Sequence, residues 1–96
     1  MGIRLVVAME ALPGKRDEMI AQSAERAKEV RQEAGCVQFA YFQDVENPDS
    51  FMLLEKWADI DALEAHWARL RARPAQPTLL RTMLEMERYE YGAEGG

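Results

Sequence analysis

The sequence holds one cysteine, Cys36, and one histidine, His66. A lone thiol cannot close an internal disulfide, so a reducing cytoplasm is the expected compartment. One histidine and one cysteine at no ligand spacing argue against a metal site. Basic residues are the minority, 12 Lys and Arg against 17 Asp and Glu, for a formal net charge of −5. The chain therefore lacks the basic face that binding a nucleic-acid backbone requires. No apolar run reaches the roughly 18 residues of a membrane span. The N-terminal residues pass directly into a strand pattern, so no separate targeting segment is expected. Internal repeats and low-complexity segments are also missing.

What is present is an ordinary globular composition, 48% apolar and 30% charged. The 96 residues suit one domain, expected over residues 2–91, with 92–96 as a flexible tail. A chain of this size buries only about two-thirds of its unfolded surface, so a partner covering more apolar surface would stabilise it.

Residues 3–12 combine β-branched and apolar side chains on both alternating faces, which predicts a strand covered on both sides. Pro13-Gly14 ends it. From Lys15 to Ala34 the period becomes helical, with Ile20, Ala24, Ala27, Val30 and Ala34 on a thin, alanine-rich stripe. Such a stripe lets the helix sit close to a sheet or leaves room for a ligand. Gly35 stands where a left-handed residue closes a helix.

Cys36–Gln43 predicts a second strand, with Val37, Phe39 and Tyr41 on one face and Cys36, Ala40 and Phe42 on the other. Asn47-Pro48-Asp49 breaks it, and residues 50–58 resume as a third strand, with Phe51, Leu53, Glu55 and Trp57 facing one way. Asp59 is a suitable N-cap for a helix whose buried stripe is Ile60, Leu63, Trp67 and Leu70. Arg69, Arg71 and Arg73 complement the negative end of its dipole. Pro74 and Pro77 end the helix, and Thr78–Arg81 allows one further turn. Met83–Tyr91 forms the last strand; Leu84 and Met86 fall on one face but Tyr89 and Tyr91 on the other, which a bulge near Glu87-Arg88 would reconcile.

The order β-α-β-β-α-β with right-handed crossovers predicts an α+β, ferredoxin-like, four-stranded antiparallel sheet carrying both helices on one face. The other face would present Val6, Ala8, Ala40, Phe42, Met52 and Leu54. An exposed apolar sheet of that size exceeds what monomers tolerate, so a homodimer joined sheet to sheet is expected.

Glu33-x-Gly35-Cys36, the Asn47-Pro48 turn, Phe51-x-Leu53-x-Glu55-x-Trp57 and Ala62-Leu63-Glu64-Ala65-His66 resemble the antibiotic biosynthesis monooxygenase family, in particular its YgiN-like quinol monooxygenase branch. The resemblance covers residues 3 to about 91. It implies a dimeric α+β barrel and a cofactor-independent monooxygenase acting on a small quinol-like or polyketide aromatic. It also admits an isomerase, a haem-degrading enzyme or a non-catalytic ligand-binding module of the same fold. The chain departs from the pattern at Phe39, where relatives have tyrosine, and at Leu53, where the anthrone-oxidising branch has asparagine. A second histidine in a T-P-H segment is also missing.

On this resemblance His66, Glu55 and Trp57 are the expected catalytic residues, and Phe39, Tyr41, Leu53 and Trp67 would contact substrate, with no cofactor and no metal. Histidine is the residue type whose reference pKa lies near neutrality, so His66 suits a general base. Trp57 and Phe39 offer flat apolar walls, and the indole N–H can donate to an oxyanion. Glu55, if buried, needs a partner or a raised pKa, and could orient His66 or a substrate oxygen. Structural roles stand beside these. His66 can hold helix to sheet through Glu55 or backbone, both tryptophans can be core, and Cys36 can be a buried inert thiol.

Overall fold

The computed structural model describes residues 1–75 and 78–92. Six elements follow in order: β1 (Gly2–Ala11), α1 (Arg16–Val30), β2 (Cys36–Gln43), β3 (Ser50–Trp57), α2 (Ile60–Ala72) and β4 (Arg81–Tyr91). The strands form one antiparallel sheet in the order β2-β3-β1-β4. This is the ferredoxin-like arrangement expected from the sequence.

Alternation along β1 sends Ile3, Leu5, Val7, Met9 and Ala11 into the core, where β3 adds Phe51, Leu53 and Trp57. The helices close this side with Met19, Ala27 and Val30 of α1 and Leu63 of α2. The opposite face has no helix over it. Val6, Ala8, Ala40 and Leu54 are half-buried there, while Phe42 is 49% and Met52 39% exposed.

Local signals explain the connections. Asp44 Oδ1 accepts from the amides of Glu46 and Asn47, and Asn47 Oδ1 accepts from that of Asp49, so the β2–β3 turn holds itself. Arg16 Nε donates to Asp49 Oδ1 at 2.8 Å and pins the start of α1 to that turn. Asp59 Oδ1 accepts from the Ala62 amide at 2.9 Å and caps α2. Helix α2 ends at Ala72, two residues before Pro74. Pro77 lies outside the described residues, as does the expected tail from Ala93 onward.

Several expectations are corrected. Helix α1 stops at Val30, and Gly35 (φ 81°) closes the following turn rather than the helix. There a Cβ would lie 2.4 Å from the Ala62 Cβ, so glycine serves both the dihedral and the approach of α2. The buried stripe of α1 is Met19, Ser23, Ala27 and Val30; Ile20 and Ala24 are exposed. Rotation by one position lets the long Met19 side chain fill the core. On α2 the buried pair is Leu63 and His66, with Ile60 and Trp67 half-buried and Leu70 exposed. Residues 78–80 are irregular rather than helical; Leu80 is buried and its carbonyl accepts from the Leu12 amide at 2.9 Å.

Two bulges change side-chain directions. On β2, Cys36 pairs with Trp57 and Gln38 with Lys56, leaving Val37 extra. Cys36 therefore turns toward the core and Val37 toward solvent, the reverse of simple alternation. On β4, Glu85 pairs with Ala8 and Met83 with Met9, leaving Leu84 extra. The irregularity thus falls at Leu84, not at Glu87-Arg88. Tyr89 and Tyr91 do face away from the helices, opposite Arg4 and Gly2. As an outer strand covered by neither helix, β4 need not keep a single apolar face.

Candidate active site

Strand alternation places Leu53, Glu55 and Trp57 of β3 on the helix side, and register sets Phe39 beside Glu55 and Tyr41 beside Leu53. The cap at Asp59 starts α2 so that its second turn lowers His66 onto Trp57. The two rings stack at 4.7 Å between centroids and 30° between planes. Phe39 meets His66 edge-on at 5.8 Å and meets Tyr41 in the same manner at 5.8 Å. The aromatic groups thus form a continuous line Tyr41–Phe39–His66–Trp57.

The polar atoms in this line are paired. Trp57 Nε1 donates to Glu55 Oε1 at 3.0 Å. His66 Nδ1 lies 2.9 Å from Glu33 Oε1, which also accepts from Arg69 Nη1 at 2.9 Å. An ionised carboxylate only accepts, so Nδ1 carries the proton, and in a neutral ring Nε2 carries the lone pair. Trp57 is 0%, His66 2% and Glu55 6% exposed. Burial pushes the Glu55 pKa above the usual carboxylate value, against the opposing pull of the Trp57 N–H, His66 and Arg26. Burial likewise raises the Cys36 thiol, with Glu33 and Glu55 adding to it, which leaves little thiolate.

Two cavities border the sheet and α1. The first, about 380 Å³, lies between α1, Arg73 and residues 78–81, with Arg26, Leu80 and Tyr41 among its walls. The second, about 330 Å³, lies along the other flank of α1 beside Ser23, Ala24 and Ala27, with Tyr41 again in its wall. The small residues of α1 therefore leave room. Of the candidate residues, Tyr41 alone borders both spaces. Phe39, Leu53, Glu55, Trp57 and His66 pack together behind it, and Trp67 lies half-buried at the edge of the core. None of these six lines either cavity.

Sequence reasoning missed Glu33 as the partner of His66 and Arg26 and Arg81 as cavity groups. Glu33 lies 33 residues from His66, and only its place in the Glu33-x-Gly35-Cys36 segment marked it. Among the described residues, no group of three or more His, Cys, Asp or Glu side chains could hold a metal ion. No helix is long and apolar enough to cross a membrane among them either.

The topology and the buried acid, indole and imidazole where α2 meets the sheet define an α+β domain with a hydrogen-bonded polar core set behind the cavity-lining Tyr41. The chain belongs to the antibiotic biosynthesis monooxygenase family, whose profile matches residues 2–77. It is 31% identical over 64 residues to YcnE of Bacillus subtilis, named provisionally as a monooxygenase, covering 67% of each chain. It is 32% identical over 65 residues to an uncharacterised protein of Synechocystis; the match covers 66% of this chain but 44% of that protein's length. Among solved structures, a Pseudomonas aeruginosa protein superimposes with a TM-score of 0.76 at 25% identity, covering 96% of this chain and 95% of the other.

Proposed function

We propose that the protein is a cofactor-independent monooxygenase of the YgiN-like quinol branch, working as a homodimer on a small quinol-like or polyketide aromatic. The observation that carries this reading is the buried Glu55–Trp57–His66–Glu33 array set one aromatic ring behind the Tyr41 cavity. Such a substrate supplies its own electrons. In an anthrone the ring carbon bearing two hydrogens becomes a carbonyl, and in a quinol a ring C–H becomes C–OH as the ring is oxidised to the quinone; in both, one atom of dioxygen enters the product and the other leaves as water.

The protein's part is to bind the ring and remove a proton. Tyr41 and Leu80 offer the apolar surface. Glu33 fixes the His66 tautomer so that Nε2 is the basic nitrogen. Phe39 stands between His66 and Tyr41, so proton transfer to Nε2 from a phenol in the Tyr41 cavity requires the Phe39 ring to turn aside. Glu55, held by the Trp57 N–H and with its pKa raised by burial, orients His66 or a substrate oxygen. The helix-free face, with Phe42 and Met52 exposed, supports the sheet-to-sheet dimer.

Oxygen-electrode traces with a reduced naphthoquinol or an anthrone, without added metal or flavin, test the reading. Turnover should exceed the uncatalysed oxidation, and His66→Ala should lower it by about 10²–10⁴-fold. An unchanged rate in His66→Ala removes the base assignment; traces matching the uncatalysed reaction across a broad panel remove catalysis. The close packing of Phe39 and Trp57, 3% and 0% exposed, favours a second reading, a module that binds ligand at Tyr41 without transforming it. A haem-degrading role gains no support from His66, which faces Phe39 and Trp57 rather than a cavity. An isomerase of the same fold remains a further alternative, and no residue here argues for it.

A further inference from the structure

The larger cavity collects three arginines, Arg26, Arg73 and Arg81, in a chain whose formal net charge is −5. Two of them are poorly answered. Arg81 donates to the neutral Gln22 amide, to the Tyr41 hydroxyl and to Met9 Sδ at 3.8 Å, with no carboxylate hydrogen-bonded to it among the described residues. The Arg26 side chain is 15% exposed, and its one ion pair among the described residues is a 3.6 Å approach of Nη1 to Glu29, itself 64% exposed. Arg26 Nη2 is buried and has no hydrogen-bond partner among the described residues. A charged donor left in that state is costly and calls for an explanation. The two glutamates on the cavity wall do not supply one. Glu25 sits with Lys28 at 3.2 Å on the outer surface, and Glu29 is too distant for a hydrogen bond.

A planar anion answers this arrangement, because a guanidinium binds a carboxylate through two parallel N–H···O bonds. The remaining walls suit the rest of such a molecule. Tyr41, Leu79 and Leu80 are apolar surfaces beside the arginines, and a space of about 380 Å³ falls in the range of small-molecule sites. Burial raises the Tyr41 pKa, against the pull of Arg81 and Arg26, so its hydroxyl stays a donor at neutral pH.

We infer that this cavity binds an aromatic carboxylate, its acid group against Arg26 and Arg81 and its ring against Tyr41 and Leu80. The inference rests on the oxygenase reading only in making this molecule the substrate; the binding itself is independent of turnover. It predicts that the protein separates aromatic acids from neutral aromatics of the same shape.

Calorimetric titration with 1-hydroxy-2-naphthoate and with its methyl ester tests this. The acid should bind at least tenfold more tightly than the ester. Arg26→Met should abolish that preference while moving the ester's affinity less than twofold, and Arg81→Met should reduce it. If Arg26→Met does not fold, Arg26→Lys decides: it keeps the charge, loses the fork, and should weaken acid binding severalfold. Equal binding of acid and ester, binding of neither, or a preference untouched by all three substitutions overturns the inference. Tight acid binding without oxygen uptake by 1,4-dihydroxy-2-naphthoate upholds the site and removes the oxygenase reading. Neutral quinols consumed by a protein that ignores the acids do the reverse.

Discussion

Glu33 offers the clearest quantitative test of how this site is built. Its Oε1 accepts from two donors of opposite character, His66 Nδ1 with a side chain 2% exposed and Arg69 Nη1 with a side chain 51% exposed. Glu33→Ala strands the buried imidazole N–H, which costs about 1–3 kcal/mol. It also releases an exposed arginine, worth at most about 1 kcal/mol. Arg69→Ala removes only the second contribution, and Glu33→Gln keeps an acceptor for Nδ1. The expected order of loss is therefore Glu33→Ala near 2–3 kcal/mol, with Glu33→Gln and Arg69→Ala each about 1 kcal/mol or less. For a domain of this size each kcal/mol lowers the Tm by about 4–8 °C. Urea denaturation and thermal melts at one fixed protomer concentration measure this, since association would shift both. An Arg69→Ala loss equal to that of Glu33→Ala would show that the surface pair carries the energy, and a neutral Glu33→Ala would refute the argument.

Glu55→Gln keeps an acceptor for Trp57 and removes a carboxylate whose folded pKa is raised by burial. Between the unfolded value of 4.5 and the higher folded one, the native state holds a proton that the unfolded chain releases. Wild-type stability should thus decline through that window relative to the Gln variant, then level off; urea midpoints across pH that stay parallel would contradict this. Gly14→Ala (φ 75°, open space) should cost about 1–2 kcal/mol. Gly35→Ala adds the overlap with Ala62 and should cost about 1–3 kcal/mol more; equal losses would show that α2 yields freely. Phe42→Asp on the helix-free face should dissociate or precipitate the protein, whereas a wild-type monomer at micromolar concentration in light scattering would end the dimer proposal.

The outline of the fold was legible because its signals are local. The Asp44–Asp49 turn satisfies its own backbone, and Asp59 caps α2 through the amide three residues on. Alternation in β3 likewise placed Glu55 and Trp57 on the helix side. The rotation of α1 was not legible, since Ala27 and Val30 fit two stripes and the small residues between them leave the angle to be set by Met19 and the sheet. The bulge at Val37 gave no warning either. An apolar β-branched residue inside a strand looks the same whether it pairs or stands out. The Glu33–His66 bond joins a turn to a helix, and no spacing rule reaches across such a separation. Arg26 and Arg81 carry no signal in the sequence, and only the fold brings them to one cavity.

The two bulges lie on β2 and β4, the outermost strands, while the inner pair β1 and β3 stays regular. Each extra residue breaks the ladder and coils the rim, so a neighbouring molecule meets no flat row of amides to extend. Rim-to-rim stacking into ribbons, the route by which sheets aggregate, is thereby discouraged at both margins. If the uncovered apolar face pairs with a second copy, as proposed, the two rims would not compete with that contact.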